Sequence, residues 1–262
     1  MTSTAAPKAR IDLLGDVAEL VLSGPPLNLF DGQMIADVAA AVSSIAGTGA
    51  RAVLVRAEGK VFCAGVDVAH FRGRDNASGA ALMQSFLDIV HELEALPLPT
   101  LAVVHGLNLT IGFELVLGCD LLWAAEEAGM GLVEATVGLT PGGGGTQRLV
   151  ARAGVARAAE AVLTGQVYSA TELQQWGVVN RVLPRADLLE GARAHAAALA
   201  AGPTLAAGWG KQILLAARDG GVAAADAISS EVSGRVFETS DLEAGISSLL
   251  AHGPGKAVFT GA

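Results

Sequence analysis

The sequence predicts an α/β fold in which strands and helices alternate ahead of a helical C-terminal region. Short β-branched or apolar segments, each closed by Gly, Pro or polar residues, predict strands at 17–24, 51–59, 99–106, 119–125 and 177–183. The helical spacing of apolar residues between them predicts helices at 31–46, 80–96, 111–118, 146–153 and 156–164. After Pro184 the strand signal stops, and Ala/Leu-rich helices are predicted at 186–201, 204–218, 222–235 and 239–252.

The chain is expected to divide into a core domain at 1–200, which would hold the ligand site, and a helical oligomerisation region at 201–262. Gly202 and Pro203 mark the break, because this pair ends one helix and starts the next. Several of the C-terminal helices are apolar on more than one side. That pattern indicates burial against a second subunit as well as against the core.

The composition is that of a globular protein, with 262 residues of which 52% are hydrophobic and 16% charged. A net charge of -9 argues against a nucleic-acid partner, which would require a basic surface. No membrane partner is expected either, because the longest apolar segment, 115–125, contains Asp120 and is shorter than the roughly 20 residues of a membrane span. The N-terminus lacks the apolar core of a secretory signal, so a cytoplasmic location is expected.

Motif searches exclude several common enzyme classes. The chain has no GxSxG, HExxH, CxxC or GxxxxGK[ST] motif. Cys63 and Cys119 are its two cysteines, which suits a reducing compartment and is too few for a structural zinc site. Its five histidines are not spaced as metal ligands. We therefore expect no metal site.

Two segments offer backbone groups to a ligand. Segment 58–71 follows a predicted strand and places Ala64 and Gly65 where small side chains let a ligand approach, although an ordinary strand-to-helix turn would look the same. Segment 103–120 runs from a strand into a helix that Thr110 could cap. The Ile111 N–H would then lack an intrahelical partner at the positive end of the helix dipole, where an anionic oxygen is favoured.

Two glutamates lie in apolar surroundings. Glu114, three residues after Ile111, projects from the same helix face; it could instead be solvated or cap its own helix, but its apolar neighbours argue against full exposure. Glu134 lies in 128–149, ahead of the glycine loop 141–146. Glu134 either faces a cavity or lies on the surface, and the loop either approaches a ligand or is a flexible turn. The residues alone leave these alternatives open.

Five motifs, in order, carry a family resemblance that covers nearly the whole chain. They are PPLNLF (25–30), FCAGVD (62–67), PGGGGTQRL (141–149), FETSDLEAG (237–245) and GKAVF (255–259). Together they resemble the enoyl-CoA hydratase/isomerase (crotonase) superfamily. The resemblance implies an α/β crotonase (ClpP-like) spiral of ββα units, with a C-terminal helical region that builds a homotrimer or a dimer of trimers. It also implies an acyl-CoA thioester substrate, so that coenzyme A is part of the substrate and no separate cofactor is expected.

The resemblance also implies roles for individual residues. The backbone amides of Ala64 and Ile111 would polarise the thioester carbonyl, Glu114 would orient the water, and Glu134 would donate a proton to Cα. Coenzyme A would lie along Ala64, Gly65, Val66 and Asp67, with Arg56, Lys60 and Lys256 as candidates for its phosphates, although each could be an ordinary surface cation. The four glycines at 142–145 would shape the pocket wall and supply no catalytic group.

The activity that the resemblance implies is hydration of a trans-2-enoyl-CoA to a 3-hydroxyacyl-CoA. A double-bond isomerase, a non-catalytic acyl-CoA-binding protein and a thioester hydrolase are the alternatives; the presence of both glutamates favours hydration. The chain departs from the family pattern at Thr110 and Ile111, where many members have a glycine run. The departure keeps the amide but adds β-branched side chains that narrow the space near the thioester.

Overall fold

The computed structural model describes residues 6–262 as an α/β protein. The strands are Ala9–Leu14 (β1), Val17–Leu22 (β2), Ala52–Ala57 (β3), Thr100–Val104 (β4), Leu107–Leu109 (β5), Leu121–Ala125 (β6), Gly129–Gly131 (β7), Tyr168–Ser169 (β8) and Arg181–Leu183 (β9). The α-helices are Gly32–Ser44 (α1), Asn76–Ala95 (α2), Ile111–Leu117 (α3), Gly145–Ala153 (α4), Val155–Thr164 (α5), Ala170–Gln175 (α6), Arg185–Ala200 (α7), Thr204–Gly234 (α8) and Ser240–His252 (α9). The alternation predicted from the sequence is confirmed.

A six-stranded sheet forms the centre of the fold, in the order β1-β2-β3-β4-β6-β9. β1 and β2 form an antiparallel hairpin, and all other neighbours are parallel. Every residue of β2 and β4 is buried, which explains why these strands are apolar at all positions except Glu19 and Thr100 and do not alternate. Helix α7 contacts β3, β4 and β6 through its buried face, so that it belongs to the core.

Short extended segments that follow the long strands pair with one another in a second layer. After β3, Cys63 pairs with Asn108 of β5, and Val66 pairs with Phe30, both in parallel. β5 in turn pairs in parallel with β7, which follows β6. Each long strand is thus followed by a short extended segment and then a helix, which is the expected spiral of ββα units. The spiral brings the residues that precede α3 next to the segment 63–66.

Asn28 holds two turns of the spiral together. Its side chain accepts a hydrogen bond from the Gly24 N–H at 2.7 Å and donates to the carbonyl oxygens of Glu58, Val61 and Phe62 at 2.9 to 3.0 Å. Asn28 is 1% exposed and adopts a φ of 50°, a conformation that Asn tolerates better than most residues. The PPLNLF turn therefore fixes the path of the FCAGVD segment.

The structure adds strands that the sequence did not predict and shortens one that it did. β5 and β7 have three residues each, too few to show a pattern, and β1 is an edge strand whose Leu13 and Leu14 point to solvent. The predicted helices 204–218 and 222–235 lie within α8, and the predicted break between them is confirmed at Gly221, whose φ of 73° and ψ of -177° are not helical. The predicted strand at 177–183 is confined to β9, because residues 177–180 form a turn.

The C-terminal helices α8 and α9 leave large apolar side chains on the surface. Leu214, Val222 and Leu250 are 72%, 74% and 83% exposed. The division of the chain after residue 200 coincides with the break between α7 and α8, and its role in oligomerisation stays a prediction. Within residues 6–262, none of the helices has the length and hydrophobicity needed to cross a membrane.

Replacement of Asn28 by Ala is expected to lower the free energy of unfolding by about 2–4 kcal/mol, because it leaves several buried backbone groups without a partner. Urea unfolding measures this change. The control is Asn180→Ala, since Asn180 is exposed and its side chain accepts one hydrogen bond, from the Leu122 N–H. Equal losses in the two variants would contradict the role of Asn28.

Candidate active site

A cavity of about 120 Å³ opens between the segment 64–71, α2, α3 and the segment 133–142. Glu114 and Glu134 both line it, as do Ala64, Gly65, Val66, Thr110 and Ile111. The rest of the wall is largely apolar and consists of Val68, Phe71, Met83, Phe86, Val133, Val137 and Leu139, together with Thr136, Thr140 and Gly142. The structure therefore brings the three segments chosen from the sequence to one place.

The first free amide is that of Ile111. Ile111 is the first residue of α3, so its N–H has no carbonyl four residues earlier within the helix. Thr110 occupies the N-cap position with a φ of 49°, but its side chain makes no capping hydrogen bond, and its Oγ1 is buried without a partner among the described residues. The expectation that Thr110 caps the helix through its side chain is therefore wrong.

The second free amide is that of Val66 and not that of Ala64. The Ala64 N–H donates to the Leu27 carbonyl at 3.0 Å, so it is already used within the fold. Phe30 forms hydrogen bonds with the residues on either side of Val66. Its N–H donates to the Gly65 carbonyl, and its carbonyl accepts from the Asp67 N–H. In such a parallel pair the middle residue points its N–H the other way, and the described residues offer that of Val66 no acceptor. The structure thus corrects the assignment of Ala64 as a donor.

Glu114 is held by the glycine loop. The N–H groups of Gly143 and Gly145 both donate to its Oε1 at 2.9 Å, and the residue is 1% exposed. Its Oε2 accepts no hydrogen bond from the described residues. Burial raises the pKa of Glu114 to about 7, with a further increase from the charge of Glu134 and an opposing effect from the two amides.

The four glycines of this loop are required because other groups pack against them. A Cβ on Gly143 would lie 2.8 Å from Glu114 Oε2, and one on Gly145 would lie 2.7 Å from Glu114 Cγ. The sequence predicts only a pocket wall at 142–145, whereas Gly143 and Gly145 also supply two amide donors. A signal was available, because a glycine run that leads into a helix presents free N–H groups.

Glu134 differs from Glu114 in its partners. It begins a single 3-10 turn, Glu134–Val137, and is 7% exposed. Its Oε2 is buried without a hydrogen-bond partner among the described residues. Burial raises the pKa of Glu134 to about 7. Since Glu114 has two amide donors that stabilise its anion and Glu134 has none from another residue, a single negative charge shared by the pair favours Glu114.

The residues expected along coenzyme A are only partly brought together. Gly65 and Val66 line the cavity, whereas Asp67 does not; its side chain accepts from the Ala69 N–H and caps a short turn. Lys60 and Lys256 are exposed and lie outside the cavity wall. Arg56 binds the buried Glu19 at 2.6 Å, so its guanidinium has a structural partner.

The sequence pattern of the enoyl-CoA hydratase/isomerase family matches residues 14–256. The chain belongs to this family. A probable enoyl-CoA hydratase of Bacillus subtilis (strain 168) is 32% identical over 187 residues, which cover 70% of this chain and 72% of the relative. The crystal structure of an enoyl-CoA hydratase from Bacillus anthracis superimposes with a TM-score of 0.90 at 27% identity, and covers 97% of this chain and all 100% of the other. The fold is therefore the crotonase fold.

A human family member, enoyl-CoA hydratase domain-containing protein 2, mitochondrial, is 41% identical over 140 residues. The match covers 53% of this chain and 48% of the human protein. The chain thus spans about half the length of this relative, so the similarity identifies the hydratase/isomerase family and not one reaction within it.

In this protein, Glu134→Gln is expected to increase the free energy of unfolding more at pH 8 than at pH 5. The folded-state pKa of about 7 lies above the ordinary value of 4.5, so between these pH values the folded protein holds a proton that the unfolded chain releases. Wild-type stability therefore falls as pH rises through this window, whereas glutamine does not titrate. The stability difference should grow by about 2 kcal/mol across the window. Urea unfolding from pH 5 to 8 measures it, with the exposed Glu160→Gln as control. A constant difference would contradict the raised pKa.

Proposed function

We propose that the protein is an enoyl-CoA hydratase, which adds water across the double bond of a trans-2-enoyl-CoA to give a 3-hydroxyacyl-CoA. The observation that carries this proposal is the unequal pair of buried glutamates in one cavity. Glu114 is fixed by two amides, whereas Glu134 Oε2 has no hydrogen-bond partner within residues 6–262. Hydration needs a base and an acid at once, and this asymmetry provides one of each.

The thioester carbonyl would lie between the N–H groups of Val66 and Ile111. Addition at Cβ moves negative charge onto that oxygen, and two backbone donors stabilise the enolate-like transition state. Loss of one such donor costs about 3–4 kcal/mol in comparable sites. Because both donors are backbone groups in a largely apolar cavity, their attraction for the developing charge is weakly screened.

Proton transfer would divide between the two carboxyl groups. Glu114 Oε2, which accepts no hydrogen bond within the described part of the chain, orients a water molecule and accepts its proton as the water oxygen bonds to Cβ. Protonated Glu134 gives its proton to Cα, so that one water is added in total. The proton on Glu114 then passes to Glu134, which restores the starting state; the effect of the Glu134 charge on Glu114 supports this exchange.

The acyl group is proposed to be short and uncharged. The cavity of about 120 Å³ is small beside the roughly 300–1,000 Å³ of ordinary ligand pockets. Among the described residues its wall contains two carboxyl groups and no Lys, Arg or His. An acyl chain that ends in a carboxylate would be buried there without a cation, which is unfavourable.

We propose that coenzyme A is the thiol part of the substrate thioester. The backbone at Gly65 and Val66 would lie beside the thioester, with Lys60 and Lys256 near the phosphates. A homotrimer or a dimer of trimers is proposed for the assembly, supported by the exposed apolar side chains of α8 and α9. A cytoplasmic location is proposed from the sequence; the human family member is named as mitochondrial.

The first test is hydration of crotonyl-CoA. The reaction is monitored by the loss of the enoyl absorbance, and its product is then identified. We expect 3-hydroxybutyryl-CoA from the wild type. Glu114→Gln and Glu134→Gln should each lower kcat by about 10²–10⁴-fold, whereas the exposed Glu160→Gln should not. Movement of the double bond without water uptake would favour isomerisation instead. Tight acyl-CoA binding with no turnover would favour a binding protein.

A second test measures the size of the acyl group. Wild-type kcat/KM should fall with chain length beyond about six carbons and be lowest for an enoyl-CoA that ends in a carboxylate. Met83→Ala should raise the ratio of decenoyl-CoA to crotonyl-CoA kcat/KM by roughly tenfold or more, because Met83 forms part of the cavity wall. Equal wild-type kcat/KM values for the two chain lengths would contradict the proposal that the cavity admits only short acyl groups.

A further inference from the structure

Glu94 is a buried carboxylate that two arginines share. It lies on α2, is 8% exposed, and receives Arg148 Nε at 3.0 Å and Nη2 at 2.6 Å. Arg218, from α8, binds both of its oxygens from the other side. We call these three residues the Glu94 cluster. It joins three helices, and one of them belongs to the C-terminal region.

Arg148 continues from the cluster to the glycine loop. Its Nη1 donates to the Gly144 carbonyl at 3.3 Å. A Cβ on Gly144 would lie only 2.1 Å from the same nitrogen, so the guanidinium packs directly against that residue. Gly144 stands between Gly143 and Gly145, whose N–H groups hold Glu114. One buried arginine therefore connects Glu94 with the turn that positions the proposed base.

We propose that the Glu94 cluster is a positioning device for Glu114, through which the C-terminal helix α8 acts on proton transfer in the active site. The inference rests on the proposed function only for the identity of the reaction. The cluster acts through the glycine loop and touches no substrate, so its residues position the base and do not react.

The need for such a device follows from the loop's composition. Four consecutive glycines are conformationally free, and two amides keep one carboxylate oxygen in place only if their turn is fixed. The Arg148 contact supplies this restraint. A small displacement of a catalytic group is costly, since displacements of about 1 Å reduce rates by roughly 100-fold.

The cluster also influences the charge of Glu114. The charged groups that act on this carboxyl are Glu134, from the 3-10 turn, and Arg148, from α4. α2 lines the cavity with Met83 and Phe86, which are uncharged. Arg148 lowers the pKa of Glu114, against burial and Glu134, which raise it. Loss of the Arg148 charge would therefore raise the pH at which the base becomes ionised.

A second cluster in the same chain provides a matched control. Glu19, 1% exposed, is held between Arg56 and Arg193, at 2.6 Å from each. Arg193 lies on α7 and is partly exposed, as Arg218 is on α8. None of these three residues lines the active-site cavity. Removal of Arg193 should therefore reproduce the structural damage of removing Arg218 without its effect on the base.

The experiment follows the ionisation of Glu114 by infrared difference spectroscopy on the intact protein, with Glu114→Gln as the reference spectrum, and measures kcat and KM for crotonyl-CoA against pH. Arg148→Gln should raise the ionisation midpoint of Glu114 by about half to one pH unit. It should lower kcat by roughly 10–100-fold, with little change in KM. Arg148→Lys keeps the positive charge but loses the paired guanidinium hydrogen bonds to Glu94. It should leave the Glu114 ionisation midpoint unchanged and recover part of kcat.

Arg218→Gln is the variant to use if Arg148→Gln does not fold, because Arg218 is partly exposed and Arg148 still pairs with Glu94. It should lower kcat by several-fold, and Arg193→Gln should change neither kcat nor the midpoint. The proposal would be overturned if kcat and the Glu114 ionisation midpoint were unchanged in the folded Arg148 and Arg218 variants. It would also be overturned if Arg193→Gln changed kcat as much as they do. A wild type that fails to hydrate crotonyl-CoA would overturn the proposed function alone, since the infrared titration needs no turnover.

Discussion

Burial of two carboxyl groups in one apolar cavity is the constraint on which this structure depends. Glu114 and Glu134 have lost most of their water, and an ionised carboxylate without water needs replacement donors. Two backbone amides donate to Glu114, whereas Glu134 Oε2 has no donor among the residues that the structure describes. The difference between the two groups thus arises from the path of the backbone around them, since their side chains are chemically identical.

That path is set by the repeated spiral step. Each long strand is followed by a short extended segment and a helix, so residues far apart in the chain come together where the helices start. The long-range restraints are few and specific: Asn28 fixes the loop that ends at Val66, and Arg148 fixes the glycine turn. Both use buried polar side chains, whose hydrogen bonds are costly to lose.

The sequence was sufficient for the elements with a long periodic pattern and for side chains of unusual type in unusual surroundings. The central strands and the two glutamates fall in this class. It was insufficient where the outcome depends on backbone hydrogen bonds between distant segments. The Ala64 amide is used by Leu27, thirty-seven positions earlier in the chain, and no local pattern reveals this. The three-residue strands β5 and β7 are likewise defined only by their partners.

Thr110 illustrates how such a site constrains engineering of the protein. The φ of 49° at this β-branched residue costs on the order of 1–3 kcal/mol. Its hydroxyl also has no hydrogen-bond partner among residues 6–262. Glycine at this position would relieve that strain, and its net effect on stability is this gain minus the greater conformational freedom of the unfolded chain. Yet the same residue borders both the free amide of Ile111 and the cavity. Thermal robustness gained there would come with an altered substrate pocket, so the two properties are not independently adjustable.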